Sequence, residues 1–338
     1  MKTRQLGPFQ VSAIGLGCMN FSHGYGPPIP DEESQSIIHY ALDQGVTLFD
    51  TALLYGSGLN ETLVGRTLKP VRHEITLCTK GGMVAQETSG ATKRKIDSRP
   101  EVIRANCEES LKRLGTNEID LYYLHRWDKK TPLEDAIGTM GRLVEEGKVK
   151  AIGLSEVSAK TLRIAHAVFP ISAVQSEYSL WTRNPEIGVL KACQDLGAAF
   201  VAFGTLGRGF LSGRLRSRAA IDALPKSDMR HNMPRFGQEN LTQNLELLRP
   251  FEEIASGLGC TAAQLAIAWC LHRQDCIIPI PGSRDCAHLK ENLGALDIVI
   301  TDDIMTTLDS VFSADKIFGN RYDPVSAMNV DTEELTSY

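Results

Sequence analysis

A short apolar run followed by a longer polar stretch with helical spacing recurs eight times along this chain, and no other feature restricts its folds as much. The runs are residues 12–16, 46–49, 75–79, 119–124, 151–154, 173–175, 198–203 and 276–279. The stretches that answer them are 31–44, 61–68, 100–114, 133–146, 159–168, 186–196, 240–258 and 287–296. In the first stretch an acidic start precedes Ile37, Ile38, Ala41 and Leu42 on one face; in the third, Val102, Ile103, Cys107, Ser110 and Leu111 keep the same period. Strand-then-helix units of this kind predict parallel strands joined by right-handed crossovers. Eight of them fit a closed (β/α)8 TIM barrel better than an open doubly wound sheet, which is the runner-up.

Two pieces fall outside the repeat. Residues 2–10, with Gly7-Pro8 between short extended runs, predict a β-hairpin across the bottom of the barrel. Residues 206–239, rich in Arg, Gly and Pro, form a long loop after strand 7, and loops of that length usually bind or cover something. The expectation is a single domain over 1–338, with the barrel over about 11–298 and a C-terminal helix (302–312) and polar tail over 301–338, ending at Tyr338.

The composition excludes several function classes. A net charge of −5 argues against a general nucleic-acid binder. No segment has the apolar length of a membrane span, and the N-terminus lacks a signal-peptide run. The eight cysteines, at 18, 78, 107, 193, 260, 270, 276 and 286, include no CxxC pair. Together these point to a reduced, cytoplasmic protein without membrane or nucleic-acid partners; a homo-oligomer is compatible with the sequence. The eight histidines never stand in a His-x-x-x-His pair, so no metal is expected. The chain lacks a Gly-x-Gly-x-x-Gly fingerprint, since Gly15-Leu16-Gly17-Cys18-Met19-Asn20 has no third glycine, and this disfavours a Rossmann dehydrogenase.

Active sites of such barrels lie where strand C-termini meet the following loops. Strand 2 ends in Asp50 with Tyr55 soon after, strand 3 in Lys80, strand 4 in His125, strand 5 in Ser155-Glu156 and strand 6 in Gln175. Each has a bland explanation alone, such as a loop cap or a hydrogen-bonded core histidine. Together they are harder to dismiss, because a Lys and an Asp at neighbouring strand ends are costly to bury unpaired. Proton transfer to a carbonyl oxygen fits them. A phenol is a poor acid near neutrality, and the Lys80 ammonium is expected to lower the Tyr55 pKa. Asp50 would hold Lys80, and His125 would bond the substrate oxygen or relay the proton. The hydride must come from a cofactor, since no side chain donates one.

These residues resemble the aldo-keto reductase family, in its bacterial and plant-type branch, over about residues 3–311. The resemblance rests on Gly45-Val46-Thr47-Leu48-Phe49-Asp50-Thr51-Ala52 with Tyr55-Gly56, on Asn60-Glu61 before Val64-Gly65, and on Thr79-Lys80. It continues through Asp120-Leu121-Tyr122-Tyr123-Leu124-His125, Gly153-Leu154-Ser155, Gln175-Ser176-Glu177-Tyr178, Leu206-Gly207-Arg208-Gly209-Phe210-Leu211 and Ile280-Pro281-Gly282-Ser283 with Glu291-Asn292. It implies an NADP-dependent oxidoreductase that reduces an aldehyde or ketone to an alcohol, reversibly, with a catalytic tetrad on Asp50, Tyr55, Lys80 and His125 and Tyr55 as general acid. NADP(H) would lie extended, its nicotinamide held by Ser155 and Gln175, near Met19, and stacked on Phe203, where relatives commonly carry Tyr. Leu206, Arg208, Gly209 and Arg214 would fold over the pyrophosphate, and Gly204 and Thr205 would also bind the cofactor. Gly282, Ser283, Arg284, His288, Glu291 and Asn292 would hold the adenine end, with Arg284 on the 2′-phosphate. Glu156 stands where the family often has Asn, and Asp285 where many relatives have a second basic residue.

The substrate pocket is expected from Phe21, His23, Tyr25, Leu54, Met83 and Trp127, whose aromatic and thioether surfaces suit an apolar or aromatic carbonyl compound. Two other readings stay open: a cofactor-binding regulatory subunit like the potassium-channel beta subunits, and a barrel aldolase with Lys80 as Schiff-base nucleophile.

Overall fold

The computed structural model describes residues 1–88 and 91–334. The chain opens with an antiparallel hairpin, β1 (Thr3–Leu6) and β2 (Phe9–Ser12), turned at Gly7, whose φ of +52° favours glycine. Eight parallel strands follow: β3 (Leu16–Gly17), β4 (Leu48–Asp50), β5 (Thr76–Gly81), then, after the hairpin strands β6 (Met83–Thr88) and β7 (Ala91–Ile96), β8 (Ile119–Leu124), β9 (Val149–Ser155), β10 (Ile171–Glu177), β11 (Ala199–Phe203) and β12 (Ile277–Pro279). Each pairs with its neighbours in the order β3-β4-β5-β8-β9-β10-β11-β12. The Gly15 N–H donates to the Pro279 carbonyl at 2.9 Å and the Gly17 N–H to that of Pro281 at 3.4 Å, closing the first strand onto the last. The (β/α)8 barrel expected from the repeat is the fold.

Alternation along the strands builds two cores. Leu121 and Tyr123 of β8 point inward and meet Leu48, Cys78, Ala151, Ala173, Val201 and Ile278. Their neighbours Tyr122 and Leu124 face outward, in the layer shared with the helices. Leu6 and Val11 of the hairpin are buried in the inner cluster, so the hairpin plugs the bottom of the barrel as predicted.

Several boundaries differ from the sequence reading. The first predicted strand, 12–16, is only Leu16–Gly17, because Ser12 completes the hairpin and its backbone N–H donates to Thr47 Oγ1. The predicted helix 240–258 is two helices, Gln238–Asn244 and Leu248–Gly257, joined through a tight turn at Leu245–Leu247. A further helix, Ala262–Arg273, is not predicted by the repeat. Eight of its residues are buried, so its apolar positions run all round and show no period. The hairpin β6–β7 is likewise absent from the sequence reading. The C-terminal helix spans Asp302–Val311, and the last four tail residues, 335–338, lie outside the described residues.

That tail returns to the C-terminal end of the barrel. Asp331 bridges to Val157, its carboxylate accepts from Ser158 and Thr161, and Lys129 Nζ donates to the Val330 carbonyl at 2.6 Å.

Candidate active site

The strand ends bring Asp50, Lys80, Tyr55 and His125 together. Asp50 is the last residue of β4, Lys80 lies one residue before the end of β5, and His125 follows β8 directly. Tyr55 begins a 3-10 turn, Tyr55–Gly58, that the helix Leu59–Leu68 supports. Asn60, at the start of that helix, accepts the Thr51 hydroxyl at 2.6 Å and donates to the Cys18 carbonyl at 2.9 Å, tying the loops after strands β3 and β4 together. Glu61 accepts from Thr79 at 2.5 Å and from Arg113 at 2.7 Å. These bonds explain why the Asn60-Glu61 pair stands where it does: it locks the loop that carries Tyr55.

Lys80 is buried, and its Nζ donates to Asp50 Oδ1 at 2.5 Å, to the Thr51 carbonyl at 2.9 Å and to Tyr55 Oη at 3.2 Å. All three ammonium hydrogens are therefore used. The second Asp50 oxygen accepts Gln175 Nε2 at 2.8 Å from across the barrel. The His125 ring stands edge-on to Tyr55, with centroids 6.0 Å apart, and His23 stacks on Tyr55 at 5.7 Å.

The electrostatics correct one expectation. Burial weakens the Lys80 charge, but Asp50 and Tyr55 together outweigh it, so Lys80 titrates above its ordinary range. For Tyr55 burial is the largest influence and raises the pKa; Lys80 opposes it without reversing it. The phenol thus holds its proton more tightly than a free tyrosine. The Lys80 ammonium acts in the expected direction and loses to desolvation.

A cleft of about 470 Å³ opens above these groups. Its wall contains Met19, His23, Tyr25, Leu54 and Met83 near Tyr55, then Ser155, Gln175 and Phe203, then Gly204, Thr205, Leu206, Arg208, Gly209 and Arg214, and finally Gly282, Ser283, Arg284, His288, Glu291 and Asn292. Two predicted pocket residues are elsewhere. Phe21 is buried in the outer core, because the 3-10 turn Cys18–Phe21 rolls it away from the barrel mouth. Trp127 packs against the same core and gives its indole N–H to the Thr131 carbonyl at 2.8 Å.

Four charged positions have roles the sequence did not suggest. Arg208 is buried and pairs with Glu177 at 2.7 Å, its guanidinium 5.2 Å from the centre of the Phe203 ring, so it is already engaged rather than free to reach over a pyrophosphate. Glu156, with φ +56°, turns its carboxylate to the Glu177 backbone N–H (2.8 Å) and into an ion pair with Arg321 of the tail. Asp285 caps the helix Cys286–Leu293 by accepting the His288 N–H at 2.7 Å and pairs with the His288 ring at 2.5 Å. Arg284 donates to the carbonyls of Tyr25 (2.6 Å) and Pro27 (3.1 Å), drawing the loop after β3 toward the helix Cys286–Leu293.

The cleft also contains residues the sequence reading missed, among them Arg126, Met229, Arg230 and Tyr322. Arg126 could have been found, since it follows His125 at a strand end. Tyr322 could not, because nothing in a polar tail marks one aromatic as returning to the barrel mouth.

The sequence matches the family described as Aldo/keto reductase family over residues 13–312. It is 40% identical over 315 residues to a probable aldo-keto reductase 1 of Glycine max, covering 93% of this chain and 89% of that one. Among solved structures, the glycerol dehydrogenase of Gluconobacter oxydans superposes with a TM-score of 0.84 at 30% identity, covering 95% of this chain and 98% of the other. The holo form of an aldo-keto reductase from Bacillus halodurans gives 0.74 at 26% identity, covering 96% and 99%. The family match and the relatives agree with the barrel, and the chain belongs to the aldo/keto reductase family, oxidoreductases of carbonyl compounds that use a nicotinamide cofactor.

Proposed function

We propose that this protein reduces an aldehyde or ketone to the alcohol, reversibly, with NADPH, and that Tyr55 is the general acid. The observation that carries the reading is the buried chain Asp50–Lys80–Tyr55, in which one ammonium bonds both a carboxylate and the phenol that faces the cleft. Lys80 fixes the phenol oxygen and stabilises the phenolate left when the proton goes to the carbonyl oxygen. Asp50 keeps Lys80 charged. His125, edge-on to Tyr55, stands where it can bond the substrate oxygen and hold it for that transfer.

The cleft suits an extended dinucleotide. Gln175 spends its N–H on Asp50 and keeps its carbonyl for a carboxamide, and the buried Thr205 hydroxyl at the cleft wall has no hydrogen-bond partner among the described residues. Ser155 and Gln175 would hold the nicotinamide, Phe203 would stack on it, and Arg214 and Arg284 would meet the phosphates. When bound, the cofactor supplies the hydride. Lys80 is charged, buried and already making three bonds, which suits the positioning of Tyr55 and opposes a Schiff-base role.

The test is Tyr55→Phe, assayed by NADPH oxidation with a panel of aldehydes and by cofactor titration. NADPH binding should persist while turnover falls by about 10²–10⁴-fold. Near-normal turnover would remove Tyr55 as the acid. An unaltered chain that binds NADPH tightly yet turns over nothing would favour a cofactor-binding regulatory role.

A further inference from the structure

A carboxamide offers a carbonyl oxygen, which needs a donor, and an amide N–H₂, which needs an acceptor. Around the expected nicotinamide position Gln175 gives one N–H to Asp50 at 2.8 Å, which turns its amide nitrogen toward Asp50 and leaves its carbonyl oxygen to receive an N–H. The donor is less obvious. Glu156, the residue after Ser155, has an acceptor-only carboxylate that is committed to the Glu177 N–H and to Arg321. It supplies nothing to a carbonyl oxygen.

One neighbour does carry donors. Arg126 lines the same cleft, and its Nη1 gives both hydrogens away, to the His125 carbonyl at 2.6 Å and to Ser155 Oγ at 2.9 Å. Its Nη2 and Nε have no partner among the described residues, and no carboxylate there pairs with it. Of the other arginines of the cleft, Arg208 pairs with Glu177 and Arg230 with Asp228, while Arg214, beside Glu291, and Arg284 are those assigned above to the phosphates. The bond from Arg126 to Ser155 has a further effect. It occupies a lone pair of the Ser155 oxygen, so the hydroxyl hydrogen must point elsewhere and is available to a second acceptor.

We infer that Arg126 is the nicotinamide-positioning residue of this site, donating to the carboxamide oxygen and turning the Ser155 hydroxyl to do the same, a role that rests on the cofactor reading above. Donors from Arg126 and Ser155 on one side and an acceptor from Gln175 on the other admit the carboxamide in one orientation. That orientation fixes which face of the ring is turned to the substrate. Asp50 then serves two purposes with its two oxygens: one holds Lys80 and the other sets the Gln175 amide.

The experiment uses the full chain, Arg126→Met and Arg126→Lys, with melting curves to show that each folds. Binding of NADPH and of its thiocarboxamide analogue, whose sulfur is a weak acceptor, is measured by quenching of intrinsic fluorescence. The unaltered chain should prefer NADPH. Arg126→Met should lose about tenfold in NADPH affinity, the worth of a charge-assisted bond, and should no longer distinguish the two ligands. Arg126→Lys should recover part of the preference. With NADPH deuterated on one face of the reactive ring carbon, the unaltered chain should transfer label from a single face and Arg126→Met from both. The inference is overturned if Arg126→Met keeps its discrimination and its face selectivity while KM rises for a carboxylate-bearing benzaldehyde and not for benzaldehyde itself. Arg126 would then serve an anionic substrate. No saturable NADPH binding by the unaltered chain would overturn the cofactor reading itself, an outcome distinct from lost discrimination in the variant.

Discussion

Tyr55 shows how a side chain's surroundings set its usable range. Its pKa is raised chiefly by burial, against the pull of Lys80, so the phenol keeps its proton through neutrality and beyond the ordinary value of about 10. A group that must give a proton stays competent wherever it is protonated. Carbonyl reduction should therefore be level across neutral pH and fall only above about pH 10. A pH–rate profile of kcat/KM checks this, and a fall centred between about pH 7 and 9 would point to another acid. The residues of this site were legible because charge at a strand end is rare and expensive. The balance between burial and Lys80 was not, since a sequence shows which charges neighbour a phenol along the chain and not how much water is excluded around it. Phe21 and Trp127 fail for a related reason: an aromatic near a strand end suits a packed core as well as a pocket wall.

Periodicity decided which elements could be read from the sequence. Helices Pro100–Leu114 and Ala159–Val168 and strand β8 match the sequence reading at both ends, because one face of each helix is apolar and the strand is bounded by turn residues. The helix Ala262–Arg273 was lost because burial on all sides erases the period, although its Thr261–Gln264 capping box was there to be seen. The tail reads as plain polar chain, yet it carries Arg321 to Glu156, and both side chains are almost wholly buried. Removing one partner of such a pair leaves a charge without compensation. Arg321→Met should lower unfolding stability by about 3–5 kcal/mol, and adding Glu156→Gln should recover a substantial part of that loss. Chemical denaturation of the two single variants and the double variant measures the coupling. Additive losses would mean that the pair does not hold the tail. Glu156 is thus explained by the tail: a residue that looked like a weakened cofactor contact secures another segment of the wall.

Across the whole molecule, burial makes many thiols and phenols hold their protons more tightly. Burial raises the pKa of Tyr122, Tyr123 and Tyr178 and of Cys18, Cys78, Cys193 and Cys270, and it pushes Cys107 up to about 12. In the unfolded chain thiols ionise near about 8.5 and phenols near about 10, so above about pH 8.5 the folded chain binds more protons than the unfolded one. Stability contributed by these groups is complete below that value and is lost as pH rises. Melting temperatures should be level from about pH 7 to 8.5 and decline beyond, and a rise between about pH 9 and 11 would contradict the prediction. The barrel itself was legible from eight repeats of one pattern, whereas its seam was not. Gly15 meets Pro279 there, and Arg4 of the hairpin reaches the carbonyls of Leu271, Gln274 and Ile277. The two sides of that seam leave the ribosome far apart in time. At about 5–20 residues per second, β3 waits roughly 13–50 s for β12 to be synthesised. Through that interval β3 has no last strand to pair with, so the barrel closes only late in the birth of the molecule. The waiting edge, at Leu16–Gly17, is two residues long and offers little for another nascent chain to pair with.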